Sequence, residues 1–535
     1  MTGWTFADVW EIAADAVPDA PCQIQGDRVI SWREFDERAD GIGRWLLDLG
    51  AEKQDKVAHY LYNGPEYLES MFGIFKAGLA PVNTNYRYAE EELLYLWDNA
   101  DAVAVVFHGT FTDRIEALRG KFDKIKGWLW VDDGTGPCPA WATPYEVAAA
   151  TRPGRLTAPW GRDGDDLYLL YTGGTTGMPK GVMWRQDDLV GTLAASFAAA
   201  VDAEGRPDLD AARKLITQPG GKGLPACPLM HGTGAFTAFS TLSTGGCVVT
   251  LTNRTLDPEE LLDIIQAHKV NVMAIVGDAF AKPMLRALDA HPGRWDISSL
   301  IAIVSSGVMW SGETKQGLLK HHGGMLLSDN FSSSEALGMG ASVSTASGTS
   351  ETAKFRLGEN ARVITEEGRD VVPGSGEVGM VAVKGRTPVG YYKDPEKSEK
   401  TFRIIDGERF SVPGDFATVE EDGTLRLLGR GSVCINTGGE KVYPEEVEEV
   451  LKTHPDVLDA VAVGVPDEKW GEAICAIVEP VAGVLLDEAD VIAHVKTRLA
   501  AFKAPKRVLS VETIGRAPNG KVDYKRLKAE AVERV

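Results

Sequence analysis

The chain has 535 residues, of which 44% are hydrophobic and 25% are charged, and its formal net charge is −21 at pH 7. This length exceeds what one hydrophobic core supports, so two or more domains are expected. The strong negative charge argues against nucleic acid or an anionic membrane surface as the general partner.

The six cysteines are scattered without Cys-x-x-Cys spacing, which favours a reducing compartment over a disulfide framework or a zinc site. The N-terminal residues lack a basic region followed by an apolar run, so no signal peptide is predicted. No stretch approaches ~20 uninterrupted apolar residues, the length that a membrane-spanning helix needs. We therefore expect a cytoplasmic protein without a transmembrane segment. The sequence leaves open whether the chain forms a homo-oligomer.

Strand-like and helix-like segments alternate from the beginning of the chain. Apolar residues at helical spacing predict a helix over 7–16, and Ser31 is a candidate helix N-cap. Buried strands are predicted at 56–62 and 78–83, with a helix between them. This alternation is typical of an α/β fold.

A glycine-rich loop at 171–182 reads Tyr-Thr-Gly-Gly-Thr-Thr-Gly-Met-Pro-Lys-Gly-Val and lies between two predicted strands. Glycines let backbone N–H groups approach an anion, and the hydroxyls and the lysine add further donors. No hydroxyl residue follows Lys180, so the loop is not a Walker A motif, and it lacks G-x-G-x-x-G. The alternative is a flexible turn between strands. The residues predicted to bind phosphate are Thr172, Gly173, Gly174, Thr175, Thr176, Gly177 and Lys180.

This loop resembles the motif of the adenylate-forming (AMP-binding) superfamily, which includes acyl-CoA synthetases, luciferases and peptide-synthetase adenylation domains. The resemblance extends over essentially the whole chain. It implies an α/β fold with a large, multi-subdomain N-terminal adenylate-forming domain at 1–430, which binds ATP and the acyl group. It also implies a small, mobile α+β C-terminal domain at 431–535. The ligands implied are ATP, Mg²⁺, CoA and a carboxylic acid.

Residues 224–234 are similar to the family's P-L-F-H-x-x-G stretch, with Met230 in place of the aromatic residue. In the family this histidine lies between the acyl and CoA tunnels. Taken alone, His231 would be interpreted as a hydrogen-bonded polar residue at the start of a helix. The resemblance instead adds His231, together with Thr172, to the candidate catalytic residues.

Two further stretches are similar to the family's adenine and metal elements. A predicted strand at 300–304 leads into a turn that resembles the one that contacts adenine, and 329–335 resembles the Y-G-x-T-E element. Taken alone, 329–335 would be interpreted as the start of a helix. The resemblance implies that Glu335 binds Mg²⁺, which favours hard oxygen ligands. It also implies that the flat ring of Phe331 contacts the adenine base. The other ATP-binding residues implied here are Ser306, Gly307, Val308, Asp329, Asn330, Ser332 and Ser334.

Asp415 stands where the family has the aspartate of T-G-D, and a carboxylate can accept hydrogen bonds from both ribose hydroxyls. A turn aspartate is the alternative. Arg430 lies in a stretch that resembles the hinge motif, and it would contact ribose or phosphate. Ser432 replaces the family's hinge lysine or aspartate. Gly438 and Gly439 would line the CoA tunnel by analogy.

The last part of the chain is locally basic. From Lys503 to Lys528 eight lysines or arginines face only two acidic residues, which supplies the local positive charge that anionic substrates would need. Residues 515–525 resemble the family's P-x-x-x-x-G-K loop, which makes Lys521 the candidate catalytic lysine. The alternative is a solvated basic face.

Together these residues predict an AMP-forming acyl-CoA synthetase, an acid–thiol ligase that makes an acyl-adenylate and pyrophosphate from ATP and then a CoA thioester and AMP. The resemblance implies that the segments after His231 and Glu335 line the acyl pocket, and their small residues predict a roomy pocket for a long-chain or bulky acid, such as a steroid side-chain carboxylate. The alternative is that these glycines serve tight backbone packing or turns. No acidic residue occurs from His231 to Thr250, which disfavours an amino-acid substrate. Acyl transfer to a separate carrier protein, luciferase-like oxygenation and nucleotide binding without turnover remain alternatives.

Overall fold

The computed structural model describes residues 2–150, 154–174, 177–308, 310–348, 351–437, 440–467, 471–517 and 520–535. Among these residues no helix is long and apolar enough to cross a membrane. The α-helices are α1 (Phe6–Ala16), α2 (Trp32–Asp48), α3 (Pro65–Lys76), α4 (Glu90–Asn99), α5 (Thr112–Leu118), α6 (Tyr145–Ala148), α7 (Gln186–Leu193), α8 (Ala195–Ala198), α9 (Leu209–Ala212), α10 (Gly232–Leu242), α11 (Pro258–His268), α12 (Asp278–Ala290), α13 (Gly312–His321), α14 (Pro395–Thr401), α15 (Pro444–Leu451), α16 (Glu488–Lys496) and α17 (Tyr524–Arg534).

The strands complete an α/β architecture. In chain order they are β1 (Pro21–Gln25), β2 (Arg28–Ser31), β3 (Lys56–Tyr60), β4 (Ala80–Asn83), β5 (Ala102–His108), β6 (Gly127–Val131), β7 (Thr143–Pro144), β8 (Leu167–Gly174), β9 (Gly177–Arg185), β10 (Lys222–Pro225), β11 (Cys247–Thr250), β12 (Val272–Ile275), β13 (Ala302–Ser306), β14 (Leu326–Ser333), β15 (Ala336–Ser344), β16 (Lys354–Leu357), β17 (Ala361–Ile364), β18 (Gly379–Lys384), β19 (Gly390–Tyr391), β20 (Phe402–Ile405), β21 (Glu408–Ser411), β22 (Asp415–Val419), β23 (Thr424–Arg430), β24 (Ile435–Thr437), β25 (Glu440–Val442), β26 (Val457–Asp467), β27 (Gly471–Pro480) and β28 (Arg507–Ser510).

The first sheet contains a parallel part in the order β1, β11, β10, β12, β13 and β14. It continues from β14 into antiparallel strands through β15, β16, β23 and β22. Because the carboxyl ends of parallel strands meet at one edge, the segments that follow β10, β13 and β14 emerge side by side.

The second sheet has the order β19, β9, β8, β4, β3, β5, β6 and β7. The predicted phosphate loop joins β8 to β9, which form an antiparallel hairpin. Strand β8 runs parallel to β4, so the glycine-rich segment emerges at the same edge as the end of β4.

A third sheet, in the order β25, β24, β27 and β26 with β28 beside β27, belongs to the small C-terminal domain with helices α15 to α17. Sheet membership changes between Arg430, the last residue of β23, and Ile435, the first residue of β24. The α/β fold class with a large first domain and a small second one is confirmed.

Two predicted helix starts have different outcomes in the structure. The helix at 7–16 is confirmed as α1, and the Ser31 hydroxyl accepts a hydrogen bond from the Glu34 N–H at 3.1 Å, as an N-cap does. The interpretation of 329–335 as a helix start is wrong, because these residues lie in β14 and in the turn before β15. The turn lets the antiparallel pair β14–β15 form, and tertiary pairing outweighs the local preference of serines for helix caps.

Lys76 is a buried cation in the N-terminal core. Lys76, at the end of α3, is fully buried, and its Nζ lies 2.6 Å from Oδ1 of both Asp36 and Asp40 on α2. Its Nζ also donates to the Asp36 carbonyl at 3.1 Å. A buried charge is tolerated only when it is paired and hydrogen-bonded in this way, so this cluster fixes how α2 and α3 pack.

We predict that Lys76→Met destabilises the fold by about 3–5 kcal/mol, because it leaves buried carboxylates without their cation. Urea and thermal unfolding of the purified protein would measure this. Lys400→Met is the matched control, since Lys400 pairs with Glu396 on an exposed helix surface and should change the midpoint little. Equal midpoints for both variants would contradict the assigned role of the buried cluster.

Candidate active site

A cavity of about 1870 Å³ opens where the two larger sheets and the C-terminal domain meet. Its walls come from the ends of β8, β13 and β14, from α10, and from the segment that begins α17. The structure thereby brings together residues that are hundreds of positions apart in sequence. The predicted site residues that line this cavity are Thr172, His231, Ser306, Gly307, Asn330, Ser332, Ser334 and Lys521.

Lys521 projects into the cleft from the C-terminal domain. Its side chain is surrounded by protein yet open to the cleft. Its pKa lies below the ordinary value because burial disfavours the ammonium ion and Arg430 adds a like charge, while Glu335 and Asp415 oppose this. Lys521 therefore belongs to one electrostatic unit with three residues of the large domain.

Glu335 lies in the turn before β15 and is held there by two hydrogen bonds. The hydroxyl of Tyr391 donates to its Oε1 at 2.9 Å, and the Ser411 hydroxyl donates to its backbone carbonyl at 2.6 Å. The carboxylate is largely buried. Mg²⁺ bound to a nucleotide usually takes one or two protein carboxylates, with phosphate and water supplying the rest of the shell. A single anchored carboxylate beside the cavity fits that requirement, and no cluster of three or more metal-ligating side chains exists among the described residues.

Asp415 and Arg430 face each other across the paired strands β22 and β23. The Nε of Arg430 lies 3.3 Å from Oδ1 of Asp415. Oδ2 of Asp415 is buried and has no hydrogen-bond partner in the described part of the chain. Burial raises the pKa of this carboxyl, while the guanidinium lowers it. A buried acceptor without a partner is costly, and the hydroxyl of a ligand such as ribose would satisfy it.

His231 is the N-cap residue of α10, but its side chain makes no capping hydrogen bond. Its Nε2 is buried and has no partner among the residues described. The position at the helix start is confirmed, whereas Nε2 lacks the hydrogen bond that the alternative interpretation, a hydrogen-bonded polar residue, would give it. Burial and the charge of Lys521 lower the pKa of His231 to about 3. The ring is thus neutral and lies beside the cavity at the N-terminal end of α10.

Asp329 and Phe331 lie in β14, on the side of the strand away from Asn330 and Ser332. Asp329 is buried against Lys315, whose Nζ is 3.3 Å from its Oδ2. Burial raises the pKa of Asp329 to about 6, with Lys315 opposing. The Phe331 ring belongs to the core and lies 5.5 Å from that of Phe355. Strand alternation therefore presents Asn330 and Ser332 to the cavity, and the stacking role of Phe331 stays a prediction.

The phosphate hairpin supplies Thr172 to the cavity, and Gly173, Gly174 and Gly177 continue its strands. Lys180 forms an ion pair with Asp394, which follows β19. Val308, the last residue of the predicted adenine turn, lines a smaller cavity between the domains. The predicted residues Thr175, Thr176, Gly438 and Gly439 lie outside the described residues.

Asn83 is a residue that sequence reasoning missed. Its side-chain amide accepts from the Tyr171 N–H at 2.6 Å and donates to the Tyr171 carbonyl at 2.8 Å and to the Met230 carbonyl at 2.7 Å. It thus fixes the phosphate strand against the segment that carries His231. The available signal was a polar residue that ends an otherwise apolar buried run.

Some of the small residues predicted to line the acyl pocket lie in the wall of the cavity. Gly232, Thr233, Leu337, Gly338 and Gly340 line the cavity, as does a row of hydroxyls on α10. A Cβ on Gly234 would lie 2.4 Å from the Pro228 carbonyl oxygen, so that glycine serves backbone packing instead. Ala336 and Met339 are core residues. The row of α10 side chains along the cavity is Thr233, Thr237, Ser240 and Thr241.

Comparison with known proteins gives consistent matches. The model described as AMP-binding enzyme matches residues 10–392, and the model described as AMP-binding enzyme C-terminal domain matches residues 446–521. A relative from Mycolicibacterium smegmatis, named medium/long-chain-fatty-acid–CoA/3-oxocholest-4-en-26-oate–CoA ligase, is 40% identical and covers 99% of this chain and 97% of its own. A relative from Rhodococcus rhodochrous, named 3-oxocholest-4-en-26-oate–CoA ligase, is 38% identical and covers 97% and 94%.

Solved structures agree in fold. The ATP-bound MatB from Rhodopseudomonas palustris matches with a TM-score of 0.80 at 25% identity, and the match covers 99% of each chain. The anthranilate CoA ligase AuaEII in complex with anthranoyl-AMP matches with a TM-score of 0.83 at 20% identity, over 100% of this chain and 98% of that one.

We predict that the His231 ring stays neutral from pH 8 down to pH 5, because its pKa of about 3 lies below this window. Titration of ¹³C-labelled histidine signals by NMR measures this, and the signal absent from His231→Gln gives the assignment. An ordinary histidine would titrate near 6.5. A midpoint close to that value for His231 would contradict the buried, neutral ring.

Proposed function

The chain belongs to the AMP-binding enzyme family, and we propose that it is an ATP-dependent acyl-CoA synthetase for a long-chain or bulky carboxylic acid. The observation that carries this proposal is the meeting of Lys521 and Arg430 with Glu335 and Asp415 beside one large cavity. These residues come from both domains. A nucleotide-binding protein without turnover would not need a lysine delivered from a second domain.

In the first half-reaction a carboxylate oxygen of the acid bonds to the α-phosphorus of ATP. The bond from that phosphorus to the bridging oxygen breaks, and pyrophosphate leaves with the electron pair. No protein nucleophile is needed. Lys521 neutralises charge between the carboxylate and the α-phosphate, which are two anions that must approach each other. Asp415 accepts from the ribose hydroxyls, and Arg430 contacts ribose or phosphate.

The remaining proposed ATP contacts come from residues in or next to the cavity wall. Thr172 and the backbone of the glycine-rich hairpin hold the leaving phosphates, and Ser334 adds a hydroxyl. The turn of Ser306 to Val308 contacts adenine. Glu335 would hold Mg²⁺, which when bound neutralises phosphate charge, and Tyr391 keeps that carboxylate in place.

In the second half-reaction the sulfur of the CoA thiol bonds to the acyl carbon and the thiol proton passes to water. The bond from the acyl carbon to the phosphate oxygen breaks, and AMP leaves with the electron pair. Lys521 serves only the first step, so the C-terminal domain must withdraw it before CoA enters. We place the boundary between residues 430 and 431, at the start of the segment 431–434 that joins the first sheet to the third. Ser432 lies in the short turn after Arg430, and Gly438 and Gly439 would line the thiol tunnel. His231 lies between the acyl and CoA paths.

The acid is proposed to be a long-chain fatty acid or a steroid with a carboxylated side chain. Support comes from the names of the relatives that match over nearly the whole chain and from the volume beside α10. Helix α10 has eleven residues, about 16 Å at 1.5 Å per residue, so a wall of this length suits an extended acid better than acetate. Each methylene buried there adds about 0.8 kcal/mol.

A cytoplasmic location is part of the proposal. No disulfide joins the six cysteines, all of which lie among the described residues, as expected in a reducing compartment.

The direct test measures AMP, pyrophosphate and thioester from a steroid side-chain acid, a long-chain fatty acid and acetate, with and without CoA. We expect a thioester only with CoA, and little product from acetate. A thioester formed only on an added carrier protein would select the carrier-ligase alternative. Absence of AMP with every acid would favour the alternative of nucleotide binding without turnover.

We predict that Lys521→Ala abolishes adenylate formation and spares thioester formation from supplied acyl-adenylate, because the lysine acts only before pyrophosphate leaves. Quenched-flow assays of each half-reaction measure this. Lys528→Ala is the control, since Lys528 pairs with Glu472 on the domain surface. Equal loss of both half-reactions in Lys521→Ala would contradict the assignment of Lys521 to the adenylation step alone.

We also predict that Gly232→Trp shifts the preference toward shorter acids. A Cβ at this position would already lie 3.2 Å from Phe236 and 3.5 Å from Leu170, so an indole there must occupy cavity volume. The measurement is kcat/KM against chain length, with the KM for ATP unchanged. Gly136→Trp, at an exposed position with open space around it, is the control. An unchanged length profile would contradict the location of the acyl wall.

A further inference from the structure

The loop that carries Lys521 is closed by three hydrogen bonds. The Ala517 N–H donates to the Lys521 carbonyl at 2.9 Å, and the Gly520 N–H donates to the Ala517 carbonyl at 2.8 Å. Nη1 of Arg516 donates to the Gly520 carbonyl at 2.9 Å. The arginine therefore holds the peptide group that immediately precedes the catalytic lysine.

Arg516 is itself fixed by Asp459 on β26. Its Nε and Nη2 approach the two oxygens of that carboxylate at 2.5 and 2.8 Å, a two-point contact that sets the orientation of the guanidinium plane. The two side chains are 16% and 20% exposed, so water competes little for this pair. Nζ of Lys452 lies 3.5 Å from the same carboxylate and adds a second positive charge.

The other side of the loop rests on the large domain. Gly520 has φ of +71°, and a Cβ there would lie 3.1 Å from Cγ2 of Val308 and 3.2 Å from Cγ1 of Val276. Val308 belongs to the turn proposed to contact adenine. The loop is thus held between a valine pair in one domain and a guanidinium fixed in the other.

We propose that Arg516 is a positioning residue for adenylation, which holds the Gly520 carbonyl so that the Lys521 ammonium reaches the reacting phosphate. This inference rests on the proposed function, in which Lys521 acts in the first half-reaction. All partners of Arg516 in this arrangement lie within the C-terminal domain, so the clamp moves with that domain. Its loss should slow adenylation and leave the thioester step unchanged.

The geometry also explains why a lysine would not substitute at position 516. Asp459 takes two donors on one side of the guanidinium while Gly520 takes a third. A single ammonium is a point charge on a flexible stem and cannot fix three acceptors in one plane. A positive charge alone therefore cannot hold the loop, and the planar set of three guanidinium N–H donors is required.

The experiment measures both half-reactions for Arg516→Met, Arg516→Lys and Asp459→Asn, with a steroid side-chain acid and its synthetic adenylate as substrates. Arg507→Met is the matched control, because Arg507 pairs with Glu488 in the same domain, away from the loop. We expect adenylation to fall roughly ten- to a hundredfold in the first three variants, since a displacement of about 1 Å can cost that much. Thioester formation from the supplied adenylate and the KM for ATP should stay at wild-type values.

Coupling and loop order provide two further readouts. The double variant Arg516→Met/Asp459→Asn should be no slower than the slower single variant, because both substitutions break the same arrangement of Asp459, Arg516 and the Gly520 carbonyl. Amide hydrogen exchange of the 511–523 peptide should rise in Arg516→Met and not in Arg507→Met, a readout that does not depend on turnover. If Arg516→Met does not fold, Arg516→Lys keeps the charge and serves for the same measurements.

Two results would overturn the proposal: wild-type adenylation in Arg516→Lys, or equal loss of both half-reactions in a variant with an unchanged thermal midpoint. Failure of the proposed function is distinguishable, because the wild-type enzyme would then form no adenylate. In that case the hydrogen-exchange comparison still decides whether Arg516 orders the loop.

Discussion

The proposed chemistry depends on one electrostatic arrangement, in which the ammonium of Lys521, at the wall of the cleft, interacts with the guanidinium of Arg430 and with the carboxylates of Glu335 and Asp415. The chain as a whole has a net charge of −21, yet its proposed substrates are anions. Isolated cations would be costly to bury, and nearby carboxylates offset that cost. Because Lys521 comes from the smaller domain, this arrangement exists only when the two domains are closed on each other.

The scaffold explains why the large-domain groups meet. Parallel strands β10, β12, β13 and β14 end at one edge, so their following segments converge without long loops. Asn83 then joins Tyr171 of β8 through two hydrogen bonds and the Met230 carbonyl, next to His231, through a third. Tyr391 performs the corresponding task for Glu335. The groups proposed to contact substrate are therefore held in place by hydrogen bonds to neighbouring residues, which is how a site keeps its geometry without its ligand.

Sequence motifs located Lys521, Glu335, His231 and the glycine-rich hairpin because each lies in a short, recognisable run. The supporting residues could not be found in this way. Asn83 contacts residues 88 and 147 positions away, and Arg516 finds its carboxylate 57 positions away, so local pattern carries no sign of either. Local preference also misled at 329–335, where pairing of β14 with β15 outweighs the helix-capping tendency of three serines. The roles of residues in the site stay proposals, while the fold and the family are established.

The central claim is that this cleft activates an extended carboxylic acid on ATP before CoA takes part. The most direct test is isotope exchange between pyrophosphate and ATP, measured without CoA and with a steroid side-chain acid, a long-chain fatty acid or acetate present. The account predicts exchange that requires the acid, does not require CoA, and is far faster with the extended acids than with acetate. Exchange that appears only when CoA is added, or that is equally fast with acetate, would contradict it.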